Sequence, residues 1–372
     1  MDFGFQKAIE EKYYSDHFKY NYTLNYKGAV LNKYPPGVAL LQAPFFAVAH
    51  FFADEKDGFS KPYQIAVNMA GIFYFLAGAL LCFSLLNRFK IPVLHQFWAV
   101  LATCFGTNLF YYVILEPGMS HVYSFFLVAA FINLILYIKS KNSTSPFSLW
   151  LLAGIVFGLI VAVRYINFFS ILLIPVFFTL RELRTSFISF KAFLGFSVGT
   201  ALVLAVPVFV FWNRTGEFFV DTYINEKFDF LNPHLFDFLF SYRKGWFLYS
   251  PVCLVGMIAL LFLFWSKKNP VYGLVFSFVL FAAFLFSSWW SWWYGGSFGQ
   301  RVMIDFYALI ALSLAAALYN IRHSLWRRTF LVALIAFSLL NIFQTWQYRH
   351  GIIHWSDMNK AKYWNSFFLT PW

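Results

Sequence analysis

The feature that most limits this chain is a succession of apolar stretches, each close to the roughly 20 residues a helix needs to cross a hydrocarbon core. Ten can be marked, at 63 to 86, 92 to 115, 121 to 138, 147 to 163, 166 to 180, 192 to 212, 246 to 265, 270 to 287, 302 to 319 and 329 to 346. In lipid a backbone amide finds a partner only in its own segment or a closed sheet, so runs of this length fold as helices. The expected fold class is all-α, a polytopic transmembrane helical bundle. Composition agrees: 60% of the 372 residues are hydrophobic and only 12% are charged, outside the range of soluble domains. Three regions follow, namely a first outer loop (1–62), a transmembrane core (63–346) and a short outer tail (347–372).

The net charge of +12 does not point to nucleic acid, because the cations are spread over short loops rather than clustered on a soluble domain. Lys and Arg favour cytoplasmic loops, and every second loop is short and cationic: Arg88 and Lys90, Lys139 and Lys141, Arg181 to Lys191, Lys267 and Lys268, Arg322 to Arg328. The other loops, including 116–120, the turn at Arg164, 213–245, 288–301 and the tail, are then outside. Of sixteen acids only Glu182 falls in a cytoplasmic loop. Parity also places residues 1–62 outside, which leads to the expectation of a further helix ahead of Met1 and eleven spans in all. The stretch VALLQAPFFAVAHFFA, 38 to 53, is short for a span and is expected to be an interfacial or re-entrant helix.

Ionisable groups at membrane depth are costly and usually functional. Here they gather at outer ends. Glu116 and His121 flank one turn, Arg164 sits in a second, and Arg301 and Asp305 open a third. A carboxylate or imidazole can take a proton from a hydroxyl, and a guanidinium can fork onto phosphate. Simpler roles exist for two of them: Arg164 could snorkel to headgroups, and Glu116 could orient the helix that follows it. The run SSWWSWWYGGSFGQR, 287 to 301, sets Trp293 and Tyr294 beside Gly295, Gly296 and Gly299. Tryptophans favour membrane interfaces, but glycines also let backbone approach a ligand, and aromatic faces beside them suit sugar rings or lipid chains. Arg243 and Lys244, next to Trp246, would suit an anionic headgroup. Cys82, Cys104 and Cys253 lack the spacing of thiolate metal sites, and no metal-ligand set, P-loop or dinucleotide fingerprint is legible.

Four stretches in order, NKYPPGVALLQAPFF (32–46), LEPGMSHVYSFF (115–126), GIVFGLIVAVRYINFF (154–169) and WWSWWYGGSFGQRVMIDFY (289–307), resemble bacterial multi-pass glycosyltransferases. The class is the GT-C superfamily, which includes dolichyl-phosphate-mannose protein mannosyltransferases and the aminoarabinose transferases of lipid A. The resemblance implies many helices, a long first outer loop carrying interfacial helices, and location in the bacterial cytoplasmic membrane with the active face outward. It implies transfer of a sugar from a polyprenyl-phosphate donor to a lipid, glycan or protein. In that family the catalytic acid lies early in the first outer loop; Asp16 is the best acid left in this loop, and the family's position falls ahead of Met1. By resemblance Glu116 is the acid of the second outer loop, while Arg164 and Asn167 belong to a glycine-helix, arginine, asparagine motif whose arginine contacts donor phosphate.

The expected catalytic set is Glu116, His121 and Asp16. Arg164, Arg243, Lys244 and Arg301 are expected at the phosphate, and Asn167, Trp293, Tyr294, Gly295, Gly296 and Asp305 at the substrate. Many family members also use a divalent metal. The rival expectation is a transporter or flippase for a polyprenyl-linked sugar, which would show broken helices and ionisable groups near the midplane. A purely structural scaffold comes third, since it leaves the aromatic, glycine and arginine loop unexplained.

Overall fold

The computed structural model describes residues 5–13, 22–141, 146–183, 189–224 and 226–370, so Asp16 lies outside the described residues. A short helix α1 (Phe5–Tyr13) precedes an antiparallel hairpin, β1 (Thr23–Tyr26) and β2 (Ala29–Asn32). Its turn holds Lys27 and Gly28 both at positive φ, 51° and 84°, the geometry whose twist matches paired strands. Strands of four residues carry too short an apolar pattern to be expected from sequence.

The helices then run α2 (Gly37–Phe52), α3 (Lys61–Arg88), α4 (Val93–Phe105), α5 (Leu109–Ile114), α6 (Ser120–Ser140) and α7 (Phe147–Val163). A 3-10 segment, Tyr165–Leu172, leads into α8 (Leu173–Phe177) and α9 (Leu180–Glu182), followed by α10 (Phe190–Thr215). Next come α11 (Leu235–Phe240), α12 (Trp246–Tyr249), α13 (Pro251–Lys267) and α14 (Pro270–Ser287). A second 3-10 segment, Arg301–Phe306, opens α15 (Tyr307–Asn320), and α16 (Ser324–Arg349) and α17 (Lys360–Ser366) complete the chain.

All ten apolar stretches are helical, but six helices, not ten, are long and apolar enough to cross a membrane: α3, α6, α10, α14, α16 and the continuous run Arg301–Asn320. The protein is therefore an all-α, integral membrane protein in which the other four stretches, at 92 to 115, 147 to 163, 166 to 180 and 246 to 265, are shorter or interrupted. Two of the interruptions complete each other. The chain breaks between α4 and α5 at Gly106–Asn108 and again at Ser250 between α12 and α13. The Asn108 backbone amide donates to Ser250 Oγ at 3.3 Å, so a donor lost to the first helix is taken up by the second break. Asn108 Nδ2 donates to the Phe298 carbonyl at 2.9 Å, and Asn108 Oδ1 accepts from Tyr307 Oη at 2.7 Å. Tyr112 Oη accepts from the Phe298 amide at 3.1 Å, so the aromatic loop 288–301 is pinned through both backbone polar groups of Phe298.

Packing follows the small residues. Gly154 and Gly158 on α7 face Gly195 and Gly199 on α10, and a Cβ at Gly154 would stand 2.1 Å from the Phe196 carbonyl oxygen. In lipid, helices associate by this close approach rather than by burying apolar area from water. Thr200 Oγ1 adds a 3.1 Å donation to the Gly154 carbonyl. Helix α15 is buried along almost its whole length and forms the centre of the bundle.

Helix α2 runs antiparallel along the first half of α3. The Leu41 carbonyl accepts from Tyr74 Oη at 2.9 Å, the Phe45 and Phe73 rings lie 5.5 Å apart, and His50 Nδ1 meets Tyr63 Oη at 2.6 Å. Contacts across the bundle join loops of the same expected side. At the cationic end Lys139 pairs with Glu182 at 3.0 Å. At the opposite end, Lys27 and Lys33 of the hairpin region pair with Glu217 and Glu226.

Candidate functional site

The site forms where helices stop short. Helix α7 ends at Val163, and Arg164 turns out of it with φ −151° and ψ 111°. Gly37, at the start of α2, allows this closeness, since a Cβ there would stand 2.3 Å from the Ala162 carbonyl carbon. The 3-10 segment after Arg164 carries Asn167, the other 3-10 segment carries Arg301 and Asp305, and the first turn of α6 carries His121.

Asp305 is 0% exposed and gathers three of these residues. Its Oδ2 accepts from Arg164 Nη1 and from Asn167 Nδ2, both at 2.7 Å. Its Oδ1 faces His121 Nδ1 at 3.3 Å. Arg164 Nη1 lies 3.4 Å from the same imidazole nitrogen, so Asp305 and Arg164 both meet His121 at Nδ1. The Arg164 guanidinium also lies 5.4 Å from the Phe286 ring centre. Both Asp305 oxygens are met, although Asn167 Oδ1 is buried without a partner, and Asp305, expected at the substrate, is enclosed as the group that holds Arg164, Asn167 and His121 in place.

Glu116 and Arg301 are arranged differently. Glu116 Oε1 accepts from Tyr111 Oη at 2.7 Å, while Oε2 is enclosed with no hydrogen-bond partner. Among the described residues the Arg301 side chain has one polar contact, Nη1 to Met119 Sδ at 3.8 Å, and no carboxylate lies within ion-pair distance of it. Both groups lie within electrostatic reach of Tyr112 and Tyr348. An enclosed carboxylate oxygen without a donor and a guanidinium without an anion are each unfavourable by themselves.

The remaining cations are engaged. Lys244 is buried, and its Nζ donates to the backbone carbonyls of Ser297 and Trp355, the latter at 2.6 Å. Burial, with the charges of Arg301 and Arg243 behind it, pushes the Lys244 ammonium down to about 7. Arg243 stacks 3.8 Å over the Trp293 ring and donates from Nε to the Ser356 carbonyl at 3.0 Å. These two residues hold loop 288–301 against the tail rather than presenting free charge.

In that loop Tyr294 and Gly295 take consecutive positive φ values of 55° and 63°. For a tyrosine this conformation is strained and is tolerated where the surroundings fix it. Here Tyr294 Oη donates to the Phe286 carbonyl at 3.0 Å, and burial raises its phenol. Gly296 lies under the Trp355 ring, 3.1 Å from a notional Cβ.

Among the described residues no three His, Cys, Asp or Glu side chains converge as a metal would require. Between His121 and Asp305 the cation is already supplied by Arg164, so these residues do not fit a divalent ion. The structure also brings in residues that sequence reasoning missed. Tyr111 orients Glu116, and Tyr223, from the segment after α10, lies within reach of Arg164 and Arg301, with burial pushing its phenol up to about 12. Lys33 stacks 5.1 Å over the Tyr223 ring, so the first loop touches the same place. Isolated tyrosines in long loops carry no motif that would single them out.

No family model matches the chain, and neither a curated protein nor a solved structure matches it.

Proposed function

We propose that the Glu116 and Arg301 region is the active site of a membrane glycosyltransferase. It moves a sugar from a polyprenyl-phosphate donor to an acceptor hydroxyl on the outer face of the bacterial cytoplasmic membrane. The observation that carries this reading is the coexistence, within electrostatic reach of the same two tyrosines, of an enclosed carboxylate oxygen with no donor and a half-buried guanidinium with no anion among the described residues. The resemblance of the surrounding stretches to multi-pass glycosyltransferases supports it.

In the proposed step Glu116 takes the proton of the acceptor hydroxyl. The acceptor oxygen bonds to the anomeric carbon as the bond from that carbon to the phosphate oxygen breaks. The electron pair leaves with the polyprenyl phosphate, whose added negative charge faces Arg301. Tyr111 keeps Glu116 oriented, and the network around Asp305 keeps Arg164 beside the site as a second, partly neutralised cation.

The test is transfer from a short-chain polyprenyl-phosphate sugar in proteoliposomes. Glu116→Gln and Arg301→Ala are each expected to lower the rate by roughly 100-fold or more without loss of folded protein. Wild-type rates in both variants would rule the reading out.

One observation favours a transporter or flippase instead, namely the interrupted helices at Asn108, Arg164 and Ser250. That reading requires movement of labelled polyprenyl-linked sugar between leaflets with no sugar transferred, and the same vesicles can be scored for both.

A further inference from the structure

Helix α16 is long and apolar enough to span, yet one of its sides is polar. Ser338, Asn341, Gln344 and Thr345 are each buried, and spacings of three and four place them along one side of the helix. Both helix breaks lie against this stripe. In the first, a Cβ at Gly106 would stand 2.8 Å from Ser338 Oγ. In the second, the carbonyl of Tyr249, just before Ser250, accepts from Asn341 Nδ2 at 2.6 Å.

Three atoms of the stripe, Asn341 Oδ1, Gln344 Oε1 and Thr345 Oγ1, are enclosed with no hydrogen-bond partner among the described residues. The Asn341 amide is fixed in orientation, because the Tyr249 carbonyl can only accept. One end of the Gln344 amide is taken by Tyr363 Oη at 2.9 Å, which leaves the other end over. Thr345 departs from the habit of its class. Thr103, Thr200, Thr215 and Ser338 each donate to the carbonyl four residues back, at 2.8 to 2.9 Å, the usual recourse of a helical hydroxyl. The Thr345 hydroxyl makes no such bond and is turned away from its own helix.

The first break adds acceptors. The Asn108 amide donates to Ser250 Oγ, the Leu109 amide to Thr107 Oγ1 at 3.3 Å and the Phe110 amide to the Thr107 carbonyl at 3.4 Å. The carbonyls of Cys104, Phe105 and Gly106 therefore lose the amides that a continuous helix would bring to them. An enclosed oxygen without a donor is costly, and non-helical backbone at membrane depth persists where it is buried in protein or lines water. Water matches the stripe in valence: it can donate to Asn341 Oδ1 and Gln344 Oε1 and accept from Thr345, about the three bonds a buried water makes. Sodium would suit the same acceptors, but the local charge opposes it. Lys244 Nζ lies 5.4 Å over the ring of Tyr348, the next residue on the stripe, while Arg301 and Glu116, both within reach of that tyrosine, offset each other.

We propose that the polar side of α16 and the two helix breaks enclose an internal hydration site, in which ordered water bridges Asn341, Gln344 and Thr345. The water does for the bundle what a continuous α4 would do for itself, and it underlies the loop that carries Arg301, since Gly299 packs against Tyr249 with 3.1 Å between a notional Cβ and Tyr249 Cβ. The site rests on the packing of the bundle and not on the chemistry proposed for Glu116 and Arg301.

The experiment is X-ray radiolysis of the full chain in phosphatidylcholine vesicles, where hydroxyl radicals form from water in place and the oxidised side chains are read by mass spectrometry. Tyr249 and Tyr363 are 1% and 3% exposed and meet Asn341 and Gln344. Phe131 and Phe157, 0% and 2% exposed with rings 5.8 Å apart, are the dry controls. Each yield is normalised to the same residue in denatured protein. The expected result is oxidation of Tyr249 and Tyr363 well above that of Phe131 and Phe157. Thr345→Val should lower the tyrosine yields and the melting temperature, the latter by about 1 to 3 °C, and Thr345→Ser should restore both. Tyrosine yields no higher than those of the two phenylalanines would overturn the proposal, and that comparison needs only the wild type. A Thr345→Val protein that melts at or above the wild type would overturn it by showing a dry pocket. A wild-type melting temperature that rises when sodium replaces choline, with no rise in Thr345→Val, would overturn it in favour of a bound cation.

Discussion

Two corners of the same polar cluster differ in how fully their charges are matched. At Asp305 every carboxylate oxygen has a neighbour, with Arg164, Asn167 and His121 lying 141, 138 and 184 residues away from it along the chain. At Glu116 and Arg301, one carboxylate oxygen and one guanidinium lack partners of matching charge among the described residues. In a matched buried network the removal of one partner strands the other's charge, so such groups hold each other's geometry. Unmatched groups in the same enclosed space cost stability, and proteins keep such groups mostly where a ligand completes them. Under the proposed function, the difference separates a part that holds the site together from a part that acts.

The comparison is broken most sharply by removing each centre in turn. In proteoliposomes Glu116→Gln should lower sugar transfer by roughly 100-fold to 10,000-fold, with a melting temperature in detergent close to that of the wild type. Asp305→Ala should do the reverse in kind, because it strands a partly buried Arg164. A loss of about 3 to 5 kcal/mol is expected, read as a fall in melting temperature and in the recovery of monodisperse protein. If Asp305→Ala melts like the wild type, the network is not a scaffold and the contrast fails.

Asp305→Asn sharpens the same point with a smaller effect. It keeps an acceptor for Asn167 or Arg164 but removes the charge, so the loss should fall to about 1 to 3 kcal/mol. A loss as large as that of the alanine variant would mean that charge, not geometry, carries the network.

The smallest expected effect concerns Lys244. Its folded-state pKa is near 7, below the value of a lysine in the unfolded chain. Between these two values the unfolded chain binds the extra proton, so stability should rise as pH increases from about 7 towards about 10. Differential scanning in detergent should show this rise in the wild type and a flatter profile in Lys244→Met. An equal slope in both would detach the effect from Lys244.

Much of the fold was legible because the apolar stretches are long and the lipid environment admits one backbone solution. All ten are helical, although only six helices are long and apolar enough to cross a membrane. The interruptions were not legible. Asn108 and Ser250 look like ordinary polar residues within apolar runs, and only their meeting across 142 positions makes each break tolerable. The same holds for the site: the residue types at helix ends pointed to Glu116, His121, Arg164 and Asp305, but not to which of them would neutralise one another. That sorting depends on the convergence of two 3-10 segments and the first turn of α6, which no local pattern encodes. Tyr111 and Tyr223 had no local signal at all.

Under the proposed function Arg301 is the site's open cation, whereas Arg164 is already matched by Asp305. The most direct test is the melting shift produced by a short-chain isoprenyl phosphate in detergent, measured for the wild type and for Arg301→Ala. A ligand that binds only the folded state raises stability with concentration, by about 2.7 kcal/mol at one hundred times its dissociation constant. The account predicts a concentration-dependent rise in the wild type that is absent in Arg301→Ala. A shift of equal size in the variant would contradict it and place the anion elsewhere.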